Sequence, residues 1–240
     1  MTTSSGDIPA LLQVEGLTKH YGDQIALADV AFSVQSGEVL GLIGPNGAGK
    51  TTLLEAIAGI VSANSGHIRW RGTPLTTMQR REFMFYLPDG LRPWDDQYVV
   101  RVIAFFADVY GRSDGFASAT IHRLGLTPAL GKPVAALSKG YARRLMLALA
   151  LLTPHPLLLM DEPFDGFDLR QTRAIMDVLR AVAAAGRTLV LAIHQLIDAE
   201  RVCDRFALLA DGRLRGIGTL AELRTRTGTT GLEEAFLALT

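Results

Sequence analysis

From Leu11 to Gly44 short apolar runs alternate with turn compositions. Leu12 to Leu17, Leu27 to Val34 and Val39 to Ile43 read as strands, separated by Tyr21-Gly22-Asp23 and Ser36-Gly37. The stretch Lys50 to Ala58 has no internal proline and stops at Gly59, which predicts a helix, and His67 to Arg71 alternates like another strand. From about Trp94 to Leu152 the pattern changes. Tyr98 to Tyr110, Phe116 to Leu124 and Lys139 to Leu152 suit helices, and no strand-like run lies among them, so residues 94–152 read as an inserted helical lobe.

Beyond the lobe, strand and helix alternate: Leu157 to Met160, Asp168 to Ala184, Thr188 to Ile193, Gln195 to Val202, then strands Phe206 to Leu209 and Leu214 to Ile217. Such alternation predicts an α/β fold with a largely parallel sheet covered by helices on both faces. The helix after Asp168 has local support, because Asp168 is set to cap it with Gln171 three residues on, and Ile175, Met176, Leu179, Val182 and Ala183 form one apolar stripe. Residues 1–10 read as a flexible lead-in, 11–225 as one folded unit, and 226–240 as a linker and C-terminal helix, with Thr225 to Gly231 a Thr/Gly stretch before the helix Leu232 to Leu239. No repeat, low-complexity tract or heptad run interrupts this order.

Charge narrows the partners. Lys+Arg and Asp+Glu both number 24, so the basic excess that marks a nucleic-acid surface is missing and no nucleic-acid partner is expected. A single cysteine, Cys203, forms no internal disulfide, which fits a reducing cytoplasm. Met1 to Ala10 carries neither the basic start nor the apolar core of a secretory signal. The greasiest stretch, Leu145 to Met160, is broken by Thr153-Pro154-His155-Pro156, leaving neither half near the ~20 residues a membrane span needs.

The chemistry gathers at strand ends. Gly44-Pro45-Asn46-Gly47-Ala48-Gly49-Lys50-Thr51 fits the G-x-x-x-x-G-K-[ST] pattern between a strand and a helix. Its glycines let successive N–H groups face the phosphates, the helix N-terminus adds positive potential, Lys50 supplies a point charge and Thr51 a hydroxyl for Mg²⁺. Leu157 to Met160 ends in Asp161-Glu162, the arrangement that delivers one carboxylate to a metal and another to an attacking water, although acidic residues also end many ordinary strands. His194 follows the strand Thr188 to Ile193, and Asp89 follows Met84 to Leu87. In open α/β sheets ligands bind beyond the carboxyl ends of the strands, where all four groups converge.

With these residues in view, Leu137-Ser138-Lys139-Gly140-Tyr141 decides the resemblance: it is similar to L-S-G-G-Q, the signature of ATP-binding cassette (ABC) transporter nucleotide-binding subunits, and the chain resembles them along nearly its whole length. The resemblance implies a P-loop NTPase fold with a RecA-like core sheet, an N-terminal antiparallel β subdomain and the helical lobe. It implies ATP contacts from Tyr21, stacked on adenine, and from Gly44, Pro45, Asn46, Gly47, Ala48, Gly49, Lys50, Thr51 and Thr52. Mg²⁺ falls to Thr51, Asp89 and, indirectly, Asp161. Glu162 resembles the general base, His194 the switch histidine at the γ-phosphate, and Asp165-Gly166-Phe167-Asp168 the loop that crosses between subunits. In relatives the signature of one subunit closes on the ATP of another, so the resemblance implies a second nucleotide-binding subunit, with a homodimer expected, and a membrane-spanning permease on a separate chain.

The departures bear on the chemistry. Lys139 replaces the first signature glycine and Tyr141 the glutamine, while Ser138 and Gly140 are retained. Lys139 either adds a cation near ATP or faces solvent. Asp89 stands where the family has a glutamine and cannot donate a hydrogen bond as an amide does. The ending Gly231 to Thr240 resembles that of many prokaryotic exporter subunits, so the expectation is an ATP-hydrolysing motor of an exporter on the cytoplasmic face of the membrane. The rivals are a soluble single-cassette ATPase acting on ribosomes or DNA, whose relatives carry two cassettes or long coiled coils, and a regulator that binds ATP without hydrolysing it.

Overall fold

The computed structural model describes residues 10–240, so the expected lead-in lies, but for Ala10, outside the described residues. The N-terminal part holds β1 (Leu12–Tyr21), β2 (Gln24–Val34), β3 (Val39–Ile43), α1 (Lys50–Ala58), β4 (Ser65–Trp70), β5 (Thr73–Pro74), α2 (Thr77–Phe83) and β6 (Met84–Leu87). The helical lobe follows with α3 (Val99–Val109), α4 (Asp114–Arg123) and α5 (Lys139–Leu152). The remainder comprises β7 (Leu157–Asp161), α6 (Leu169–Ala184), β8 (Thr188–Ile193), α7 (Leu196–Val202), β9 (Arg205–Ala210), β10 (Arg213–Gly218), α8 (Leu220–Thr227) and α9 (Leu232–Leu239). Helix α8 therefore runs into the stretch expected as linker, and Gly228, in the left-handed region, ends it.

Two sheets result. β2, β1, β4 and β5 lie side by side in an antiparallel sheet, and β10, β9, β3, β8, β7 and β6 form a six-stranded sheet, in that order. In the larger sheet β9, β3, β8, β7 and β6 run parallel, and β10 joins β9 as an antiparallel edge.

The parallel strands are apolar at nearly every position because both faces are covered. Val39 and Ile43, Leu158 and Met160, and Leu189, Leu191 and Ile193 point into one core, shared with α5, α6 and α7. Leu40 and Leu42, Leu157 and Leu159, and Val190 and Ala192 point into the other, closed by α1 and the antiparallel sheet. Within β3, β7 and β8 polar side chains occur only at the strand ends, as Thr188 and Asp161.

Helix α5 is the spine of the lobe and is buried on almost all sides from Leu145 to Leu152. Two arginines satisfy its terminal carbonyls. Arg187 donates to the carbonyls of Leu151 at 3.1 Å and His155 at 3.0 Å and to Thr153 Oγ1 at 3.1 Å. Arg112 donates to Leu152 O and Thr153 O, each at 2.7 Å. Burial, with Arg112 close by, lowers the Arg187 guanidinium to about 10.

Leu158 is fully buried at the centre of the sheet. Leu158→Ala is expected to lower unfolding stability by about 2–5 kcal/mol, read from urea denaturation; a loss near zero would contradict a sheet closed on both faces.

Candidate functional site: the phosphate loop and its strand-end carboxylates

The site is built where β3 gives way to α1. Gly49 adopts φ 100°, and a Cβ there would lie 2.6 Å from the carbonyl of Ala26, so only glycine lets the loop lie this close to β2. The loop closes on itself through Ala48 N to Pro45 O at 3.1 Å. Lys50, the first residue of α1, is buried and turns back, its Nζ donating to Gly44 O at 2.7 Å and Pro45 O at 3.2 Å. Burial lowers its pKa, and Glu162 and Asp161 oppose that shift. The ammonium is thus held among neutral carbonyls at the centre of the cradle.

The carboxylates arrive from the adjoining strand. β7 pairs with β8 through Asp161 opposite Ala192. Asp161 accepts a hydrogen bond from Thr51 Oγ1 at 2.6 Å; burial pushes its carboxyl above the usual value, against the effect of that bond. Glu162 turns out of the strand at φ 47°, with its N–H on Ala192 O at 3.0 Å. A non-glycine residue there costs about 1–3 kcal/mol, a strain that tends to persist where chemistry needs it. His194 Nδ1 lies 2.5 Å from Glu162 Oε2, the ring donating to the carboxylate.

Tyr21, Asn46, Gly47, Gly49, Lys50, Thr51, Thr52, Asp89, Asp161 and Glu162 all line one cleft of about 500 Å³, a size that suits a small-molecule ligand. A second groove runs along its edge past Gly44, Pro45, Glu162, Asp165 and His194. Ala48 is buried beneath the loop. Gln24, Ile25 and Ala26 also line the cleft and were not anticipated. They belong to β2, which begins earlier than expected because Gly22, at φ 58°, turns the chain so tightly that Tyr21 pairs with Gln24.

The signature residues lie elsewhere. Leu137, Ser138, Lys139, Gly140 and Tyr141 are absent from the lining of that cleft. Ser138 caps α5, accepting from Tyr141 N at 3.4 Å, and Gly140 packs beside Gly166 and Phe167. Lys139 does not simply face solvent, because its Nζ pairs with Asp165 at 2.7 Å. Asp168 caps α6 through Gln171 N at 2.8 Å, as anticipated. Asp89, expected as a metal residue, lines the cleft, and its Oδ1 also accepts from the buried guanidinium of Arg143. Arg143 was missed in the sequence, although its position four residues after Lys139 puts both cations on one face of α5.

A model of the ABC transporter family matches residues 27–165, more than half of the chain. The chain belongs to the ABC transporter ATP-binding subunits. This ABC subunit is 34% identical over 224 residues to the Nod factor export ATP-binding protein I of Ralstonia nicotianae, covering 90% of this chain and 69% of that protein. It is 30% identical over 241 residues to the linearmycin resistance ATP-binding protein of Bacillus subtilis, covering 95% of this chain and 78% of the relative. A solved ATP-binding subunit of an ABC transporter superposes with a TM-score of 0.86 at 32% identity, over 95% of this chain and 99% of that one. The ABC subunit is accordingly an ATPase that binds ATP and couples its hydrolysis to transport.

Lys50→Ala leaves the cradle without its central cation. ATP affinity measured by calorimetry is expected to fall about 10–100-fold, the worth of a charged hydrogen bond, and unchanged affinity would contradict the cradle.

Proposed function

We propose that this ABC subunit is the motor of an exporter, closing on ATP with a second copy of itself and driving a separate permease. The observation that carries this reading is the division of the site. The phosphate loop and both carboxylates share one cleft, while the signature turn lies off that cleft and is free to meet ATP held by another subunit. Export is supported by the relatives named for Nod factor export and linearmycin resistance.

In this reading the loop amides from Gly44 to Thr52 and Lys50 hold the phosphates, and Tyr21, half exposed at the mouth, stacks on adenine. Thr51 and Asp161, 2.6 Å apart, fit Mg²⁺, which takes only one or two protein oxygens when phosphates and water supply the rest. When bound there, the ion would supply neutralising charge to the phosphates. Glu162 polarises the attacking water, and His194 fixes the carboxylate and lies on the γ-phosphate side. Ser138 and Gly140 offer a hydroxyl and an N–H to the nucleotide of the second subunit, and Asp165 to Asp168 cross beside them.

The permease is proposed to dock on the lobe next to Asp89. Leu91, Trp94, Tyr98 and Phe105 are large apolar side chains left exposed there, Trp94 at 82%. Among the described residues no helix is long and apolar enough to cross a membrane. The proposed location is therefore peripheral, on the cytoplasmic face, held by that partner, and the balanced charge supports no role for nucleic acid.

Glu162→Gln is expected to lower ATP turnover by about 10²–10⁴-fold while ATP still binds; unchanged turnover would remove Glu162 from the general-base role. The same variant, tagged and recovered from cells in mild detergent with ATP, should bring down an integral membrane protein in stoichiometric yield. Recovery of ribosomal or DNA-bound proteins instead would favour a soluble ATPase. Trp94→Asp should reduce recovery of the membrane protein without changing ATP affinity, and undiminished recovery would place the docking surface elsewhere.

A further inference from the structure

Lys139 is out of place by local rules. It is the first residue of α5, directly after the cap Ser138, where the helix macrodipole disfavours a cation. It also stands in a turn whose neighbours pack as closely as glycine allows. The surroundings offset this. Lys139 Nζ meets Asp165 Oδ2 at 2.7 Å, and the lysine stem lies over Gly166 so closely that a Cβ there would come within 2.8 Å of Lys139 Cγ. The same pair holds the Asp165 carboxyl below the usual carboxylate range.

The contact joins two parts of the chain that sequence separates. Asp165 lines the groove beside Pro45, Glu162 and His194, and it also lines the cavity that holds Lys139, Asp89 and Arg143. One turn further along α5, Arg144 lies 5.6 Å from the ring of Phe167. The signature turn and the segment Asp165 to Phe167 therefore meet through an ion pair, a packed lysine stem and a cation over a ring.

We infer that Lys139 is a positioning residue whose ion pair with Asp165 holds the signature turn and the Asp165 loop together as one unit. Its consequence for activity rests on the two-subunit reading above: both segments would approach the second subunit in a single geometry, and the lysine that replaces a family glycine sets that geometry.

The test is peptide-resolved amide hydrogen exchange on the nucleotide-free full chain, which needs no dimer. Lys139→Met keeps the stem and removes the charge. Exchange through residues 164–168 is expected to quicken by about two- to fivefold, the scale of an exposed ion pair. Asp165→Asn should do the same, and the double variant should be no faster than either. The swap of Lys139→Asp with Asp165→Lys should recover much of the protection. Raising salt should speed exchange in the parent and leave Lys139→Met unmoved, since only the parent has a pair to screen. Unchanged exchange in Lys139→Met, or effects that multiply in the double variant, would overturn the inference.

ATP-driven assembly of Glu162→Gln, followed by sedimentation, separates the two readings. Faster exchange in Lys139→Met with no assembly supports the pair and overturns the two-subunit reading. Assembly with unchanged exchange does the reverse.

Discussion

Burial of the six-stranded sheet on both faces is the constraint from which the site follows. Each inner strand sends alternate side chains into two separate cores, so an ionisable group within β3, β7 or β8 would have no water and no partner on either side. Charge is admitted only where the strands end. Because β3, β6, β7 and β8 run parallel, their ends lie along one edge, and that edge gathers Lys50, Asp89, Asp161, Glu162 and His194. The concentration of chemistry along one line is the counterpart of a dry interior.

At that edge the charged groups are already committed to partners in the protein. Lys50 is bound by two carbonyls, Asp161 by Thr51, Glu162 by His194, Asp89 by Arg143 and Asp165 by Lys139. Such partners hold side chains at defined positions before a ligand arrives, which reduces the ordering that binding must still accomplish. They differ in strength: the carbonyls around Lys50 are neutral acceptors, whereas the ion pairs on α5 match charge with charge.

Much of this was legible in the sequence for reasons that differ by element. Helices α1 and α5 and strands β3 and β8 run between the residues expected; glycine, proline or a capping side chain marks the ends of the first three, and β8 stands out as an unbroken apolar run from Leu189 to Ile193. The phosphate loop could be read because its pattern sits between a buried strand and a helix. Helix α2 escaped notice although Thr76 and Gln79 form a complete capping box, because none of its residues is buried and no apolar stripe betrays it. Helix α8 escaped in the same way, its Thr219 and Glu222 box lying ahead of a polar run with only Leu223 buried. The ion pairs of Asp89 and Lys139 could not be foreseen, since each joins segments that only the folded chain brings together.

The far end of α5 carries its own consequence. A helix ordinarily frays at its last turn, where carbonyls lack partners and water takes their place. Here Arg112 and Arg187 grip those carbonyls from two different segments, and the residues between are enclosed almost all round. A helix clamped at one end and encased along its length behaves as a stiff rod. With Arg112 in the lobe and Arg187 directly before β8 both holding its last turn, a push at the Ser138 end would be carried along α5 to the sheet and not absorbed by local melting.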